Sequence, residues 1–178
     1  MTSELDAVEP APIAPGDHKA YLQYALSLAK QSPPKPTNYR VGAVLVNPKS
    51  NAVVATGYTL ELPGNTHAEQ CCFMKLAEQY EVAEEELGSV VETPLVLYTT
   101  MEPCSTRLSG NLPCTKRILR LRSIVKTVYV GVQEPEKFVK DNTGRAALQR
   151  AGVDVVHVTG LEGDILKVAT AGHVKGPA

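Results

Sequence analysis

The chain has 178 residues, enough for one domain that buries a single core unaided. Lysine and arginine number 18 against 19 aspartates and glutamates, so no global field points to a nucleic-acid partner, and a basic run at Lys116, Arg117, Arg120, Arg122 and Lys126 is the local exception. No apolar run reaches the length of a membrane span, and residues 1–16 have neither the apolar stretch of a secretory signal nor the arginines of a transit peptide, so the expected location is the cytoplasm.

Residues 1–16, rich in proline, alanine and acidic groups, read as a mobile arm. A single domain is expected over 17–173, followed by a short tail at 174–178. Asp17 is a helix cap, and Leu22, Ala25, Leu26 and Ala29 recur on one face of the helix it starts. Pro33, Pro34 and Pro36 end that helix and force an extended loop through Asn38 to Arg40. The β-branched run 41–46 predicts a strand buried on both faces, and 53–58 the strand that returns after the turn at 47–51. A helix is expected from Thr66 to about Tyr80, with Cys72, Leu76 and Tyr80 facing inward. Residues 81–92 form an acidic connection. Strands at 95–100, 127–132 and 153–158 alternate with helices at 114–121, 143–151 and 161–171. Strands separated by helices imply an α/β sheet covered on both faces and parallel wherever a helix intervenes.

Two stretches carry chemistry: Thr66-His67-Ala68-Glu69, and Met101-Glu102-Pro103-Cys104 through to Pro113-Cys114. At a helix start, side chains tilt toward the N-terminus, so His67 and Glu69 can converge just beyond the helix end. Cys104 follows a strand end. Cys114 opens a helix, where the helix dipole favours a thiolate. One histidine and two thiolates leave one tetrahedral position of a zinc ion open for water, the mark of a catalytic site. Glu69 is placed to take a proton from that water and return it to a leaving amine.

Each piece also has a plain structural reading. Thr66-x-x-Glu69 is a capping box, a lone histidine is more often structural, and two cysteines can pair or pack. Cys71 and Cys72, inside the helix, read as small core residues rather than ligands. The H-x-E…P-C…C order in the right helical context is the pattern of zinc deaminases, and it outweighs the separate readings.

On those residues the chain resembles the cytidine deaminase-like superfamily over most of 17–160. Most members carry P-C-x-x-C, whereas nine residues separate Cys104 from Cys114 here, as in the riboflavin-pathway pyrimidine deaminases. Thr37-Asn38-Tyr39-Arg40-Val41-Gly42-Ala43-Val44 is similar to a segment whose asparagine contacts the pyrimidine in bacterial members. Thr59 stands where the bacterial pattern has histidine. The loop Ser105-Thr106-Arg107-Leu108-Ser109-Gly110-Asn111, with no fused reductase in view, resembles the fungal branch more than the bacterial one.

The resemblance implies a three-layer α/β/α fold with a five-stranded mixed sheet, a zinc cofactor on His67, Cys104 and Cys114, and a homodimer. It implies hydrolysis of the 2-amino group of 2,5-diamino-6-ribitylamino-4(3H)-pyrimidinone 5′-phosphate. Asn38 would meet the pyrimidine edge, with backbone groups at Ala68 and Pro103 beside it. The sugar phosphate needs cations or backbone N–H groups, for which Arg107 with Ser109, Gly110 and Asn111 is the first candidate, and Arg40 and the loop 140–144 are weaker ones. The rivals are a tRNA, nucleobase or nucleoside deaminase on the same zinc, and a silent zinc-stabilised binding module. A free carboxylate beside an open metal position argues against the module.

Overall fold

The computed structural model describes residues 10–107, 109–133 and 143–174. The expected arm at 1–16 and tail at 174–178 therefore lie largely outside the described residues. Within the arm, Ile13 packs on the core, and its carbonyl accepts a 2.7 Å bond from Asn51 Nδ2.

The elements run in the expected order. Asp17 caps α1 (His18–Ala29) by accepting from the Ala20 N–H at 3.0 Å. Strands β1 (Gly42–Asn47) and β2 (Ala52–Tyr58) form an antiparallel hairpin. Then come α2 (Ala68–Tyr80), a 3-10 turn at Glu84–Glu86, α3 (Leu87–Val90), β3 (Leu95–Met101) and α4 (Cys114–Arg120). The chain continues with β4 (Val125–Val132), α5 (Thr143–Arg150), β5 (Asp154–His157) and α6 (Glu162–Ala169). The acidic connection thus turns partly helical. Helix α2 ends at Tyr80 with Glu81 in the left-handed region, so its buried stripe is Cys72, Phe73, Leu76 and Ala77, while Tyr80 stays exposed.

The sheet is mixed, ordered β2-β1-β3-β4-β5, with β3–β4 and β4–β5 parallel. Strand β1 inserts between β2 and β3 and is antiparallel to both, so the helix-linked strands β2 and β3 still share a direction. Because β1 is central, period-two alternation serves two cores. Ala43 and Leu45 face Phe73, Leu76, Ile118 and Leu148 on one side; Val44 and Val46 face Leu22, Leu26 and Ile165 on the other. Burying the phenyl ring of Phe73 completely contributes on the order of 3–5 kcal/mol, judged by what its truncation costs in such cores. Helices α2, α3, α4 and α5 cover one face and α1 and α6 the other, the expected three layers. All the parallel strands then end on one rim, beside the start of β1, and the loops at 35–41, 59–67 and 101–113 crowd there.

Candidate functional site

Glycine at position 57 lets α2 lie almost on β2. A Cβ there would stand 2.2 Å from the Ala68 carbonyl oxygen, so any side chain would lift the start of α2 off the sheet. That contact seats His67, the residue immediately before the helix. The capping is not the one the sequence suggested. Gln70 reaches back, its Oε1 accepting from the His67 N–H at 3.3 Å, while Thr66 Oγ1 donates to the Leu62 carbonyl at 2.8 Å within the preceding loop. Glu69 is thereby released from any capping duty.

His67 Nδ1 lies 3.5 Å from both Cys104 Sγ and Cys114 Sγ, and the three donor atoms fall within 4.8 Å of one another. Zinc at its usual bond lengths in a tetrahedron separates a nitrogen and a sulfur ligand by about 3.5 Å, so the three residues fit the ion. Among the described residues this is the one histidine–cysteine–acid group spaced for a metal. Cys71 and Cys72 are fully buried, with thiols facing the Tyr58 and Ala43 carbonyls, and take no part.

The two thiols divide their proton unequally. Cys104 is pulled down to about 4, first by its bond from the Cys114 thiol, with burial opposing and His67 and the Cys114 N–H assisting. Cys114 is pushed up by the same bond, by burial and by Glu69. A coordinated metal ends the division, since it deprotonates its thiols outright.

Glu69 is buried, with Oε2 3.4 Å from Cys114 Sγ and Oε1 3.0 Å from Thr99 Oγ1. Burial pushes its carboxyl above the ordinary range, against the pull of His67. Thr99 is a partner that the sequence reading missed. Its hydroxyl also lies 2.9 Å from the Met101 carbonyl, so one proton stands between two acceptors. The geometry allows it to donate to a charged Glu69, or to donate to Met101 while accepting from a protonated one.

His67, Glu69 and Cys104 floor a cavity of about 920 Å³, with Cys114 and Thr99 buried beneath them. Of the predicted contacts, Asn38, Thr59, Arg107 and Ser109 line it, together with Lys35, Thr37, Tyr39, Asn65, Glu102 and Thr106, which the sequence reading did not single out. Asn38 Nδ2 reaches Asn65 Oδ1 at 3.4 Å, and Thr37 Oγ1 donates to Asn38 Oδ1 at 3.0 Å. Arg107 donates to Gln70 Oε1 at 3.0 Å and to the Asn65 carbonyl at 2.6 Å, which pins the inserted loop over the start of α2. Asn111 closes that loop on the Gly64 carbonyl at 3.4 Å, and Gly110 takes a positive φ of 80°. Ala68 and Pro103 flank the metal ligands, and the Pro103 carbonyl accepts from Thr115 Oγ1 at 3.4 Å. Arg40 points elsewhere, its guanidinium bound to the Ser32 and Lys30 carbonyls at 2.8 and 2.6 Å. Residues 140–142 lie outside the described residues, and 143–144 open α5. Glu102 forms a bidentate pair with Arg145 on that helix, at 2.8 and 3.0 Å, next to the metal loop.

The basic run is less uniform than its sequence. Arg117 is drawn inward to Glu84 and the Leu112 carbonyl, leaving its side chain only 12% exposed.

Residues 15–132 match the family described as the cytidine and deoxycytidylate deaminase zinc-binding region. The diaminohydroxyphosphoribosylamino-pyrimidine deaminase of Schizosaccharomyces pombe is 38% identical over 159 residues, covering 89% of this chain and 36% of that protein. The chain therefore spans little more than a third of this curated relative. Among solved structures, Aspergillus oryzae Rib2 deaminase at pH 6.5 aligns with a TM-score of 0.78 and 47% identity over 88% of this chain and 92% of its own. The same enzyme in complex with DARIPP aligns with a TM-score of 0.78 and 46% identity, over 88% and 91%. RibD of Acinetobacter baumannii gives 0.64 and 25% over 87% of this chain and 38% of its own. The family match spans well over half the chain and takes in His67, Glu69, Cys104 and Cys114: the chain belongs to the cytidine and deoxycytidylate deaminase family of zinc-binding proteins.

Proposed function

We propose that the protein is a zinc-dependent hydrolase that removes the 2-amino group of 2,5-diamino-6-ribitylamino-4(3H)-pyrimidinone 5′-phosphate, a riboflavin-pathway reaction. One observation carries the reading. His67, Cys104 and Glu69 sit at the floor of a cavity of about 920 Å³, with Cys114 buried beneath, and its rim bears Arg107 and Ser109 of the Cys104–Cys114 insertion and, from the loop 35–41, Lys35 and Asn38. That volume suits a ring with a phosphorylated sugar chain. The likeness to a Rib2 deaminase solved with DARIPP, at 46% identity, supports the same substrate class.

His67, Cys104 and Cys114 would hold the zinc, which when bound supplies Lewis acidity that brings the ionisation of water into the neutral range. The chain's own residues do the rest. Asn38 keeps one N–H and one lone pair free beyond its bonds to Asn65 and Thr37, and these orient the pyrimidine edge. Glu69 takes a proton from the attacking water and passes it to the ring nitrogen, then takes the second from the hydroxyl now on the ring carbon and delivers it to the departing amine, leaving a carbonyl. Water enters and ammonia leaves, so the carboxylate ends as it began. Thr99 serves both of its states without moving the backbone. Arg107 and Lys35 are the lining cations suited to a phosphate at the mouth.

On this reading the unit is a single domain at 17–173 that acts as a cytoplasmic homodimer without nucleic acid. The balanced charge and the inward turn of Arg117 support a partner other than nucleic acid, the homodimer rests on the family resemblance, and no helix among the described residues is long and apolar enough to cross a membrane. Ammonia release from the ribityl and ribosyl pyrimidine phosphates, compared with cytidine, cytosine and guanine, tests the assignment. Ribityl phosphate should be preferred; release from cytidine or guanine alone would sink it.

A further inference from the structure

The loop that carries Asn38 is held from outside the pocket. Its inner turn closes on itself through a bridge between Lys35 and Asn38, and the Arg40 side chain ties its far end to the carbonyls after α1. On the pocket side Asn38 meets Asn65 and Val41 meets Thr59, and further ties come from the turn after α6, distant in sequence. The Ala169 carbonyl accepts from the Arg40 N–H at 3.1 Å. His173 Nε2 lies 3.0 Å from the Asn38 carbonyl oxygen, which can only accept, so Nε2 carries the proton. The His173 ring meets Tyr39 edge-on, with centroids 4.8 Å apart at 69°. At Gly172 the two backbones touch: a Cβ there would stand 2.3 Å from Lys35 N and 2.7 Å from the Pro34 carbonyl carbon.

The turn is itself anchored. Thr170 N–H and Oγ1 both donate to the Leu166 carbonyl, at 3.0 and 2.7 Å, and the His173 N–H donates to Thr170 at 2.9 Å. Helix α6 in turn is pinned on the sheet by Ile165, 1% exposed, whose Cδ1 fills the space above Gly131. A continuous path of contacts therefore runs from the sheet through α6 and the turn to the Asn38 backbone. A turn that merely ended a helix would need neither a glycine flush against residues 34–35 nor an imidazole on a pocket carbonyl.

We propose that the turn at 170–173 braces the substrate pocket, with Gly172 and His173 as positioning residues that set where Asn38 meets the pyrimidine ring. This rests on the reading of Asn38 as the ring-binding residue. The brace touches neither the metal ligands nor Glu69, so its loss acts on binding rather than on the chemical step.

His173→Ala should raise KM for the pyrimidine phosphate about fivefold, the factor that one neutral hydrogen bond carries, with kcat within about twofold. Gly172→Ala should raise it further, because the added methyl group must push the 34–35 backbone aside. His173→Gln, which keeps an N–H donor, should recover most of the loss. Gly163→Ala, whose Cβ meets nothing within 4 Å, is the control and should leave KM unchanged. In the substrate-free protein, exchange of the Arg40 amide should speed up in His173→Ala and Gly172→Ala and not in the control. That measurement needs no turnover, so it decides the brace even if the protein deaminates no pyrimidine phosphate and the functional assignment falls. Unchanged KM and unchanged Arg40 exchange in His173→Ala would overturn the proposal. A loss of kcat equal to the rise in KM, together with a lowered Tm, would do so too, by reducing the turn to a general structural element. If Gly172→Ala does not fold, His173→Ala and His173→Gln carry the test alone.

Discussion

At and beneath the floor of the cavity, His67, Glu69 and the buried Cys114 sit at the starts of α2 and α4, and Cys104 lies three residues past β3, each tied to a helix or to the sheet. At the mouth, Asn38, Asn65 and Arg107 sit on three separate loops that hold one another: Asn38 to Asn65, Asn65 to Arg107, and Arg107 back to Gln70 of α2. The floor gets its geometry from regular structure and burial. The mouth gets it from a few polar contacts between chain segments far apart in sequence. Damage to the floor should therefore appear in kcat, and damage to the mouth in KM.

The largest break of that contrast is at Glu69. Glu69→Gln keeps the shape and the bond from Thr99 but cannot carry a proton, so kcat should fall about 10²–10⁴-fold with zinc content unchanged. Chelation should remove activity as completely and also lower Tm, by about 10 °C if zinc binds the folded state tightly, since the metal stabilises only the chain that has its ligands assembled. Ammonia release, metal content and a melting curve on the same samples separate the two. Activity in Glu69→Gln comparable to that of the intact protein would sink the proton-transfer role.

Thr99→Val comes next. It removes a buried bond to the carboxylate without changing side-chain shape, and should lower kcat about 10- to 100-fold while KM holds. Thr99→Ser should restore most of it, because the hydroxyl alone does the work. A rise in KM instead would mean that Thr99 shapes the pocket rather than serving Glu69.

The mouth gives smaller effects. Arg107→Ala should raise KM for the phosphorylated substrate about tenfold through loss of a charge-assisted contact. The dephosphorylated substrate should be nearly indifferent. Equal losses on both would assign Arg107 to tethering the inserted loop, through Gln70 and Asn65, rather than to the phosphate.

The same contrast separates what the sequence revealed from what it hid. The metal set was legible because zinc chemistry restricts residue types, and because helix starts and strand ends can be read from local pattern. The doubly buried β1 was legible from its unbroken apolar run. Thr99 was not: a threonine in a strand looks like ordinary β-branched filler, although two threonines in a row inside an apolar strand are a signal worth following. Gln70 takes the cap that Thr66-x-x-Glu69 offered as the plain alternative, because Thr66 is bound to Leu62 in the preceding loop. The contacts of Asn65 with Asn38 and Arg107, and of His173 with Asn38, cross dozens of residues, which no local pattern contains.

Asn65 offers the finest test, because it does two separable things. It holds a left-handed backbone, φ 55°, that aims its carbonyl at Arg107, and its side chain meets Asn38 at 3.4 Å. Asn65→Gly keeps the backbone conformation and removes only the side-chain contact. That bond is long and exposed, so its loss should raise KM no more than about twofold, the low end of what a hydrogen bond contributes. Asn65→Ala removes the same contact and also sets a Cβ in a region that costs an ordinary residue about 1–2 kcal/mol, so Tm should fall by a few degrees as well. If KM rises only in the alanine variant, the loop conformation positions Arg107 and the Asn38 contact is incidental. If it rises equally in both, the link between the two asparagines matters, and the mouth depends on side-chain contacts as closely as the floor depends on helix starts.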